Sequence, residues 1–257
     1  MGDTYSHYSR IVENYARYRP RYPERLVDLL RAECGLAPEH TVADVGTGTG
    51  QLAELFLRNG NRVYGVEPNP EMLAAAVLLL RAYPAFTGVA APAEATSLPD
   101  RSVDFVAVGN AFHWFEHGQA RREFARLLVP DGWVVLVWNL ERNNGSPFAD
   151  AFEHVWRTYI DPSARFGRGG ERALPAYLTD FFGAGNLHQT SLDNRQVCDL
   201  TALQGLAQSF LKAPRPGDQR HTAMQGELQA LFEQYQQDGV VTLEYDTAVV
   251  YGRLKKE

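Results

Sequence analysis

Glycine occupies every second position in one short segment of the chain, directly after a run of mostly apolar residues. The segment reads DVGTGTG and spans residues 44–50. Because glycine has no Cβ, such a run lets the main chain turn tightly and leaves room for a ligand against the backbone. A helix that begins near Gly50 would add exposed N–H groups and the positive end of its dipole to the same space. The spacing predicts a loop that binds a small molecule.

An acidic residue stands at the matching place in the next predicted strand. Glu67 ends the run RVYGVE, residues 62–67, and precedes Pro68 and Asn69. At the end of a strand beside a glycine loop, a carboxylate can accept both hydroxyls of a ribose. A solvated loop glutamate is the alternative. The position opposite the glycines favours the sugar of a nucleoside-containing cofactor.

These residues need a scaffold to bring them together, and the hydrophobic pattern predicts one. Short apolar runs, typical of strands covered on both faces, alternate with helical stripes through the first half of the chain. The runs fall at 41–45, 62–67, 86–90, 103–108 and 133–138, the last after a turn at Asp131 and Gly132. Helices are expected to begin at Pro23 and Pro70, and the apolar stripes at 52–56 and 120–128 indicate two more. The alternation predicts a doubly wound, mostly parallel α/β sheet.

After residue 139 the pattern is less regular. It predicts helices at 148–159, 200–210 and 228–235, strands at 186–192 and 240–251, and a Gly- and Arg-containing loop at 161–172. If both strands join the sheet, the sheet has seven strands. We expect a single domain over 1–257, with N-terminal helices at 1–35, a cofactor-binding core at 36–139, and acceptor-side helices and the last strands at 140–257.

Composition and charge argue against several classes of protein. A net charge of −6, with 45% hydrophobic and 22% charged residues, is unlike a disordered chain or one that coats nucleic acid or acidic membranes. The longest wholly apolar run, 72–80, is far shorter than the ~20 residues of a membrane helix. The two cysteines and the scattered histidines offer neither a disulfide framework nor metal-ligand spacing. We expect a cytoplasmic protein with no metal and no membrane partner.

A nicotinamide enzyme is the first alternative for the glycine loop. Its fingerprint Gly-x-Gly-x-x-Gly requires glycine where this chain has Gln51. The observed Gly-x-Gly-x-Gly, with Asp44 before it and Glu67 after it, resembles class I S-adenosylmethionine-dependent methyltransferases instead. The resemblance continues through AEATSLP at 93–99, SVDFV at 102–106 and LVPDG at 128–132. It covers about residues 15–138 and implies a Rossmann-like methyltransferase fold with seven strands.

A narrower resemblance concerns the type 11 methyltransferases that include trans-aconitate methyltransferase-like proteins. It rests on NYARYRPRYP at 14–23, NAFHWF at 110–115, QSF at 208–210 and YDTAVVYGR at 245–253. Members of this subgroup methylate small molecules, and many have no assigned acceptor. The resemblance therefore supports the reaction more than the substrate.

The wider resemblance implies roles for individual residues. The backbone of Gly46 and Gly48 would pass beside the methionine part of S-adenosylmethionine. Asp44 would orient that end, and Asn110 would approach it from the fourth strand. Glu67 would hold the ribose. The full set of implied cofactor-binding residues is Tyr15, Arg19, Asp44, Gly46, Gly48, Gly50, Glu67, Pro68, Asn69, Met72, Ala93, Glu94, Asn110 and Trp114.

The adenine end of the implied site departs from the family in one place. Pro68 and Asn69 would flank the base, and Ala93 and Glu94 would reach its rim. Where members often carry aspartate before the Ala-Glu pair, this chain has Pro92. That substitution removes the expected partner of the adenine amino group.

Tyrosine and arginine alternate in the N-terminal stretch, which has three interpretations. The tyrosines are Tyr5, Tyr8, Tyr15, Tyr18 and Tyr22, and the arginines are Arg10, Arg17, Arg19 and Arg21. Aromatic and basic residues mixed in this way can stack bases and pair phosphates. They can also form a helix that packs its tyrosines and solvates its arginines. The interpretation we favour is a lid over the cofactor, in which Arg19 or Tyr15 meets its carboxylate.

Methyl transfer requires few catalytic groups from the protein. A sulfonium methyl is already activated, so transfer needs an aligned nucleophile more than acid–base help. A carboxylate acceptor needs no base, whereas a hydroxyl or amine needs a proton sink, for which His113 is the candidate. Arg165, Arg168 and Arg172 either clamp an acidic acceptor or belong to a solvated loop.

The sequence thus predicts methyl transfer from S-adenosylmethionine to a small molecule, at a carboxylate or hydroxyl oxygen. An RNA or protein methyltransferase and a non-catalytic S-adenosylmethionine-binding module are the alternatives. Against methylation of a base amino group, the fourth strand is followed by Asn110-Ala111-Phe112-His113 and not by an Asn/Asp-Pro-Pro-aromatic motif. The oligomeric state is left open by the sequence.

Overall fold

The computed structural model describes residues 12–163, 166, 176–183 and 185–255. Among them the strands are β1 (Thr41–Val45), β2 (Arg62–Val66), β3 (Phe86–Val89), β4 (Val103–Gly109), β5 (Leu128–Arg142), β6 (Leu187–Cys198) and β7 (Val241–Gly252). The helices are α1 (Val12–Tyr18), α2 (Arg25–Cys34), α3 (Gln51–Arg58), α4 (Pro70–Leu79), α5 (His117–Leu127), α6 (Pro147–Tyr159), α7 (Ala176–Phe182), α8 (Leu200–Gln208) and α9 (Gln219–Tyr235). A 3₁₀ helix, Phe112–Trp114, lies between β4 and α5.

The strands form one seven-stranded sheet in the order β3-β2-β1-β4-β5-β7-β6. β1 pairs in parallel with β2 on one side and with β4 on the other, and the pairs β2–β3 and β4–β5 are also parallel. The order therefore reverses at β1. At such a switch point the connections leave the strand ends in opposite directions and open a crevice outside the carboxyl edge. The predicted doubly wound, mostly parallel α/β fold is confirmed.

Local sequence explains where the helices beside this crevice begin. The Asn69 side chain accepts hydrogen bonds from the N–H groups of Glu71 and Met72, each at 3.0 Å, and Pro70 occupies the first helical position of α4. Glu116 caps α5 in the same way, through the N–H groups of Gly118 and Gln119. In both helices the carboxyl end of a strand is followed within a few residues by a cap that fixes the next helix.

The chain divides into two compact units. The glycine-loop unit comprises Tyr22–Trp138, Glu171–Leu192 and Thr247–Glu257, and the insertion unit comprises Met1–Arg21, Asn139–Gly170 and Asp193–Asp246. In the glycine-loop unit, buried side chains form two clusters, one around Phe56 and Phe105 and the other around Phe112 and Phe124. The insertion unit has its own cluster around Phe152, Trp156 and Met224. Each unit therefore buries its own core.

Several element boundaries differ from the sequence prediction. Asp131 and Gly132 were predicted to form a turn before the fifth strand, but both lie within β5. Asp131 has a φ of 66°, and the register between β4 and β5 is irregular in this region. Pro23 precedes α2, which begins at Arg25. The helix α9 begins at Gln219, nine residues before the predicted start at 228. The short helix α7 and the 3₁₀ helix were not predicted. Arg165, Arg168, Arg172, Tyr5, Tyr8 and Arg10 lie outside the described residues.

In the described part of the chain no helix is both long and apolar enough to cross a membrane. The same residues contain no group of three or more His, Cys, Asp or Glu side chains arranged to hold a metal ion. Cys34 and Cys198 are buried free thiols.

Candidate functional site

The glycine loop leaves the end of β1 in a conformation that only glycine adopts without strain. Gly46, Gly48 and Gly50 have φ values of 73°, 56° and 86°. A Cβ on Gly46 would lie 2.6 Å from the Cβ of Ala111, and one on Gly50 would lie 2.6 Å from a methyl of Leu80. All three glycines are thus favoured by their backbone angles, and Gly46 and Gly50 are also required by close neighbours. The loop turns directly into α3, whose N-cap is Gly50.

Backbone hydrogen bonds hold this loop against the neighbouring strand. The N–H groups of Gly46 and Thr47 both donate to the carbonyl of Val66, at 2.8 and 3.1 Å. The Gly50 N–H donates to the Thr47 carbonyl at 2.8 Å. These bonds close the loop on itself and on the end of β2, which places Glu67 beside the glycines.

Glu67 is nearly fully buried, with 8% of its surface exposed. Its Oε2 accepts the N–H of Gly48 at 2.9 Å, and its Oε1 accepts the N–H of Asn69 at 3.0 Å. Burial raises the pKa of Glu67 above its ordinary value, and these two N–H groups oppose that rise. Each carboxylate oxygen has two lone pairs, so both oxygens retain capacity to accept a hydroxyl.

Asp44 is a second buried carboxyl, 1% exposed, at the end of β1. Its Oδ2 accepts the Thr47 hydroxyl at 2.6 Å, whereas its Oδ1 has no hydrogen-bond partner of good geometry among the described residues. Burial raises the pKa of Asp44 to about 7, a rise that Thr47 and the N–H of Ala53 offset only in part and that the charge of Glu67 increases. A buried oxygen left unpaired in this way is costly unless a ligand donates to it.

Two more buried polar atoms beside the loop lack a partner in the described structure. They are the hydroxyl oxygen of Thr49 and the side-chain nitrogen of Gln51. Together with Asp44 Oδ1 they are three unpaired polar atoms within eight residues of chain, around a loop with no Cβ to fill the space. The arrangement fits a polar ligand that carries positive charge near Asp44 and hydroxyls near Glu67.

The start of α4 supplies the next predicted residues. Pro68 follows Glu67, and the Asn69 side chain is engaged as the helix cap. Asn69 is 2% exposed and Met72 is 3% exposed. The structure therefore gives Asn69 a structural role as the cap of this helix, and places Met72 in the buried surface directly after the acid.

Ala93 and Glu94 lie in the loop after β3. Ala93 is buried, and Oε1 of Glu94 accepts the N–H of Glu116 at 2.8 Å. The Glu94 carboxylate therefore joins this loop to the start of α5.

An ion pair between the buried Glu123 and the partly exposed Arg126 lies beside the rest of this loop. Oε1 of Glu123 accepts the N–H and the hydroxyl of Thr96, at 2.7 and 2.6 Å, and also bonds Arg126 at 2.7 Å. Glu123 Oε2 accepts Arg126 Nε at 2.9 Å, and Arg126 also reaches the exposed Asp100. The hydrogen bonds between Thr96 and Glu123 were not predicted, because Glu123 lies on α5, 27 residues further along the sequence.

Asn110 follows β4 with a φ of 53°, a left-handed conformation that asparagine tolerates better than most residues. Its N–H donates to the carbonyl of Val137 at 2.8 Å, and its side-chain amide donates to the hydroxyl of Tyr22 at 3.0 Å. Sequence analysis assigned Tyr22 to the N-terminal aromatic stretch. The structure places it in the glycine-loop unit, where it positions Asn110.

His113 and Trp114 lie in the 3₁₀ helix directly after Asn110. Both are exposed, Trp114 by 50%, and their rings are 4.9 Å apart. Desolvation of the ring lowers the pKa of His113 below its ordinary value. Neighbouring Ala111 and Phe115 contact the space beside Gly46, which links this helix to the glycine loop.

Tyr15 and Arg19 belong to the insertion unit. The Arg19 guanidinium lies 3.4 Å from the ring centre of Phe210 and 5.0 Å from that of Tyr15, and it donates to the carbonyl of Ser209 at 3.3 Å. Its Nε is buried and has no hydrogen-bond partner in the described chain. The structure therefore shows the two residues stacked together. It brings the other predicted cofactor residues together in the glycine-loop unit.

Comparison with known families identifies the part of the chain that contains this site. The family model for a methyltransferase domain matches residues 43–136. This segment contains the glycine loop, Glu67, Ala93, Glu94 and Asn110. Residues 43–136 are therefore similar to a methyltransferase domain. It matches 125 residues of an uncharacterised methyltransferase of Mycobacterium tuberculosis at 40% identity, which is 49% of each chain. The protein spans about half the length of the mycobacterial relatives that it matches.

A longer match extends beyond this methyltransferase domain. An uncharacterised methyltransferase of Schizosaccharomyces pombe is 27% identical over 224 residues, 86% of this chain and 85% of the relative. Among solved structures, a protein assigned as a type II methyltransferase from Anaeromyxobacter dehalogenans is 26% identical, with a TM-score of 0.68 and coverage of 93% and 100% of the two chains. A methyltransferase structure from Anabaena variabilis shares the fold at 22% identity, with a TM-score of 0.61 over 93% and 100%.

Proposed function

We propose that the protein transfers a methyl group from S-adenosylmethionine to a small-molecule acceptor. The proposal rests on one observation above the others. Asp44, Thr49 and Gln51 each carry a buried polar atom without a partner, and all three lie around a glycine loop that ends against the acid of Glu67. S-adenosylmethionine carries an ammonium that can donate to a carboxylate such as Asp44, and hydroxyl and carboxylate oxygens that can accept from groups such as the amide of Gln51.

The residues divide between the two ends of this cofactor. In the proposal, Asp44 receives the ammonium of the methionine part, because an ionised carboxylate is stabilised by an adjacent cation. Glu67 receives the ribose hydroxyls, since both of its oxygens keep a lone pair after bonding Gly48 and Asn69. Met72 and Ala93 supply buried apolar surface for the base.

The cofactor supplies an activated methyl group on its sulfonium, and the protein has to align the acceptor with it. For a carboxylate acceptor, alignment suffices. For a hydroxyl acceptor, we propose His113 as the proton sink, because it is exposed and lies three residues after Asn110. Trp114, exposed beside it, would then contribute apolar surface for the acceptor.

The finer assignments are also proposals. The trans-aconitate methyltransferase-like subgroup, a carboxylate or hydroxyl oxygen as the methyl acceptor, and a cytoplasmic location all follow from the sequence. The lid, with Arg19 or Tyr15 meeting the cofactor carboxylate, is likewise proposed from the sequence. A guanidinium stacked on an aromatic ring keeps its edge available for such an anion.

Calorimetric titration with S-adenosylmethionine, and with NAD as a comparison, tests the binding step. We expect the first ligand to bind and NAD not to bind. A wild-type protein that binds neither ligand contradicts the proposal. Replacing Arg19 with Ala tests the lid separately, and unchanged cofactor affinity would refute it.

A second experiment tests the acceptor class. The protein is incubated with methyl-labelled cofactor and, in separate reactions, a metabolite extract, total RNA and a protein extract. Label in the metabolite fraction is expected. Label in RNA or protein instead assigns the macromolecular alternative, and cofactor binding without transfer in any fraction assigns a binding module. Mass spectrometry of a co-purified ligand would identify the acceptor.

A further inference from the structure

Helix α4 (Pro70–Leu79) presents several large apolar side chains to solvent. Val77, Leu78 and Leu79 are 49%, 61% and 52% exposed, and they are half of the large hydrophobic residues found exposed in the described structure. Single exposed hydrophobic residues are ordinary, whereas three together mark an interaction surface. The helix packs on β3 and β2, and β3 is the edge strand of the sheet, so no strand of the sheet follows on that side.

Exposed residues of different chemical types form one stripe along α4. Glu71, Ala74 and Leu78 follow one another at intervals of three and four residues, which places them in one stripe along the helix, and all three are exposed. Arg81 extends the stripe past the end of α4, where its guanidinium donates to the carbonyl of Leu78 at 2.9 Å. The stripe therefore has an acid at one end, a base at the other, and a small and a large apolar residue between them.

This order is self-complementary under a two-fold rotation. If two copies of α4 lie antiparallel, Glu71 of one faces Arg81 of the other, and Ala74 of one faces Leu78 of the other. A two-fold interface brings the same patch of both subunits together, so every such contact occurs twice. The large Leu78 side chain would fill the space left by the small Ala74, and the charge pair would set the antiparallel direction.

We propose that α4 is the contact surface of a homodimer, in which two copies of the helix pack antiparallel through Ala74 and Leu78 with Glu71–Arg81 pairs at both ends. The stripe carries one acid and one base, so it has no net charge to attract an anionic lipid surface, which favours a second copy over a membrane. The helix is 10 residues long, and an interface of this length buries a small area, so the dimer is expected to be weak and concentration-dependent.

Sedimentation velocity from low micromolar to several hundred micromolar protein tests the proposal. We expect a monomer–dimer equilibrium, and we expect Leu78→Glu to weaken it by more than about tenfold. The matched control is Val197→Glu, which introduces the same charge at a valine that is 58% exposed on β6 and should leave the dimer unchanged. Circular dichroism and S-adenosylmethionine affinity confirm that each variant is folded.

A charge-reversal cycle tests the antiparallel pairing of Glu71 with Arg81. This test remains valid even if the Leu78 variant fails to fold. Glu71→Arg and Arg81→Glu should each weaken the dimer, because each places like charges opposite one another, and the double variant should restore it. A protein that is monomeric at every concentration overturns the proposal. So does a dimer that Leu78→Glu leaves intact, a double variant as weak as the singles, or a monomer that sediments with anionic phospholipid vesicles.

Discussion

The Glu67 carboxylate accepts the N–H of Gly48 over 2.9 Å, so the acid after β2 and the glycine loop after β1 are directly bonded. The same carboxylate accepts the N–H of Asn69, the residue that caps α4. One side chain thus sets the relative positions of the loop, the strand end and the following helix. Changes at Glu67 should therefore alter both ligand affinity and local stability.

Replacing Glu67 with Ala should weaken S-adenosylmethionine binding by about tenfold to a hundredfold or more, because hydrogen bonds to a charged group contribute ~1.5–3 kcal/mol each. Glu67→Gln should fall between the wild type and the alanine variant, since the amide keeps one acceptor oxygen. Calorimetric titration measures both affinities. The control is Glu39→Ala, an exposed acid before β1, which should bind as the wild type does. Equal binding by Glu67→Ala would refute the assignment of the ribose site.

The raised pKa of Asp44 predicts a dependence of stability on pH. Burial raises this pKa from 3.8 to about 7, so the native state holds the proton more tightly than the unfolded state. The carboxyl therefore costs nothing below pH 4, and its cost grows as the pH rises from about 4 to about 7, where it reaches at most ~4 kcal/mol. Asp44→Asn should stabilise the protein more at pH 8 than at pH 5 in urea unfolding. A gain that is equal at both values contradicts the raised pKa.

The same group should make cofactor binding depend on pH. The ammonium of S-adenosylmethionine favours the ionised carboxylate, so affinity should increase between pH 6 and pH 8 as Asp44 loses its proton. The Asp44→Asn variant should bind more weakly and lose this dependence. Since the ligand's own amine titrates equally in both proteins, the difference between the two pH profiles isolates Asp44. Parallel profiles would show that Asp44 does not meet the ammonium.

Glu123 and Arg126 give a prediction for the loop that carries Ala93 and Glu94. Burial of Glu123 opposes its ionisation, but hydrogen bonds from Arg126 and Thr96 lower its pKa to about 2. Its contribution to stability is complete above pH 4.5 and is lost as the pH falls from about 4.5 towards 2. Glu123→Ala should cost about 1.5–3 kcal/mol at pH 7, because it removes the charged hydrogen bonds from Arg126 and leaves the N–H and hydroxyl of Thr96 without their acceptor.

Asp100 provides the matched control for this pair, because it bonds the same Arg126 from an exposed position. Asp100→Asn should cost less than about 1 kcal/mol, as exposed ion pairs contribute little. Urea unfolding at pH 7 and at pH 3.5 compares the variants with the wild type. Two results would contradict a role for Glu123 in holding this loop. One is an equal loss of unfolding free energy in the Glu123 and Asp100 variants. The other is a loss in the Glu123 variant that is as large at pH 3.5 as at pH 7.

The sequence predicted the sheet, and the closeness of Glu67 to the glycine loop, because the signals for both are local. The strand β1 was predicted at its observed bounds, since its apolar run ends in glycines that no strand continues. The pairing of Glu67 with the glycine loop followed from two successive strand ends. The predicted turn at Asp131 and Gly132 is instead an irregularity within β5, where Asp131 has a left-handed φ and the register with β4 shifts.

Contacts between residues far apart in the chain were not predictable in this way. The hydroxyl of Tyr22 meets Asn110 across 88 positions, and Glu123 meets Thr96 across 27. No spacing rule connects such residues, because their meeting depends on how helices pack on the sheet. The unpaired atoms of Thr49 and Gln51 were missed for the same reason, since burial without a partner is a property of the folded surroundings.

The Gly46 position gives the sharpest test of the loop geometry. A Cβ here would lie 2.6 Å from the Cβ of Ala111, and the φ of 73° is unfavourable for any other residue. Gly46→Ala should therefore destabilise the protein by about 1–3 kcal/mol and weaken S-adenosylmethionine binding, as measured by urea unfolding and calorimetry. The double variant Gly46→Ala with Ala111→Gly removes the contact but keeps the unfavourable angle, so it should recover only part of the stability.

Gly226 is the control for this substitution. It lies in α9 with an ordinary helical φ, and nothing is within 4 Å of the Cβ position. Gly226→Ala should stabilise the protein by about 0.5–1 kcal/mol, because alanine loses less backbone entropy in a helix, and should leave cofactor affinity unchanged. The same Gly→Ala change is thus expected to lower the free energy of unfolding at Gly46 and to raise it at Gly226. If Gly46→Ala were neutral, the loop would not hold the closely packed, positive-φ conformation that the structure shows.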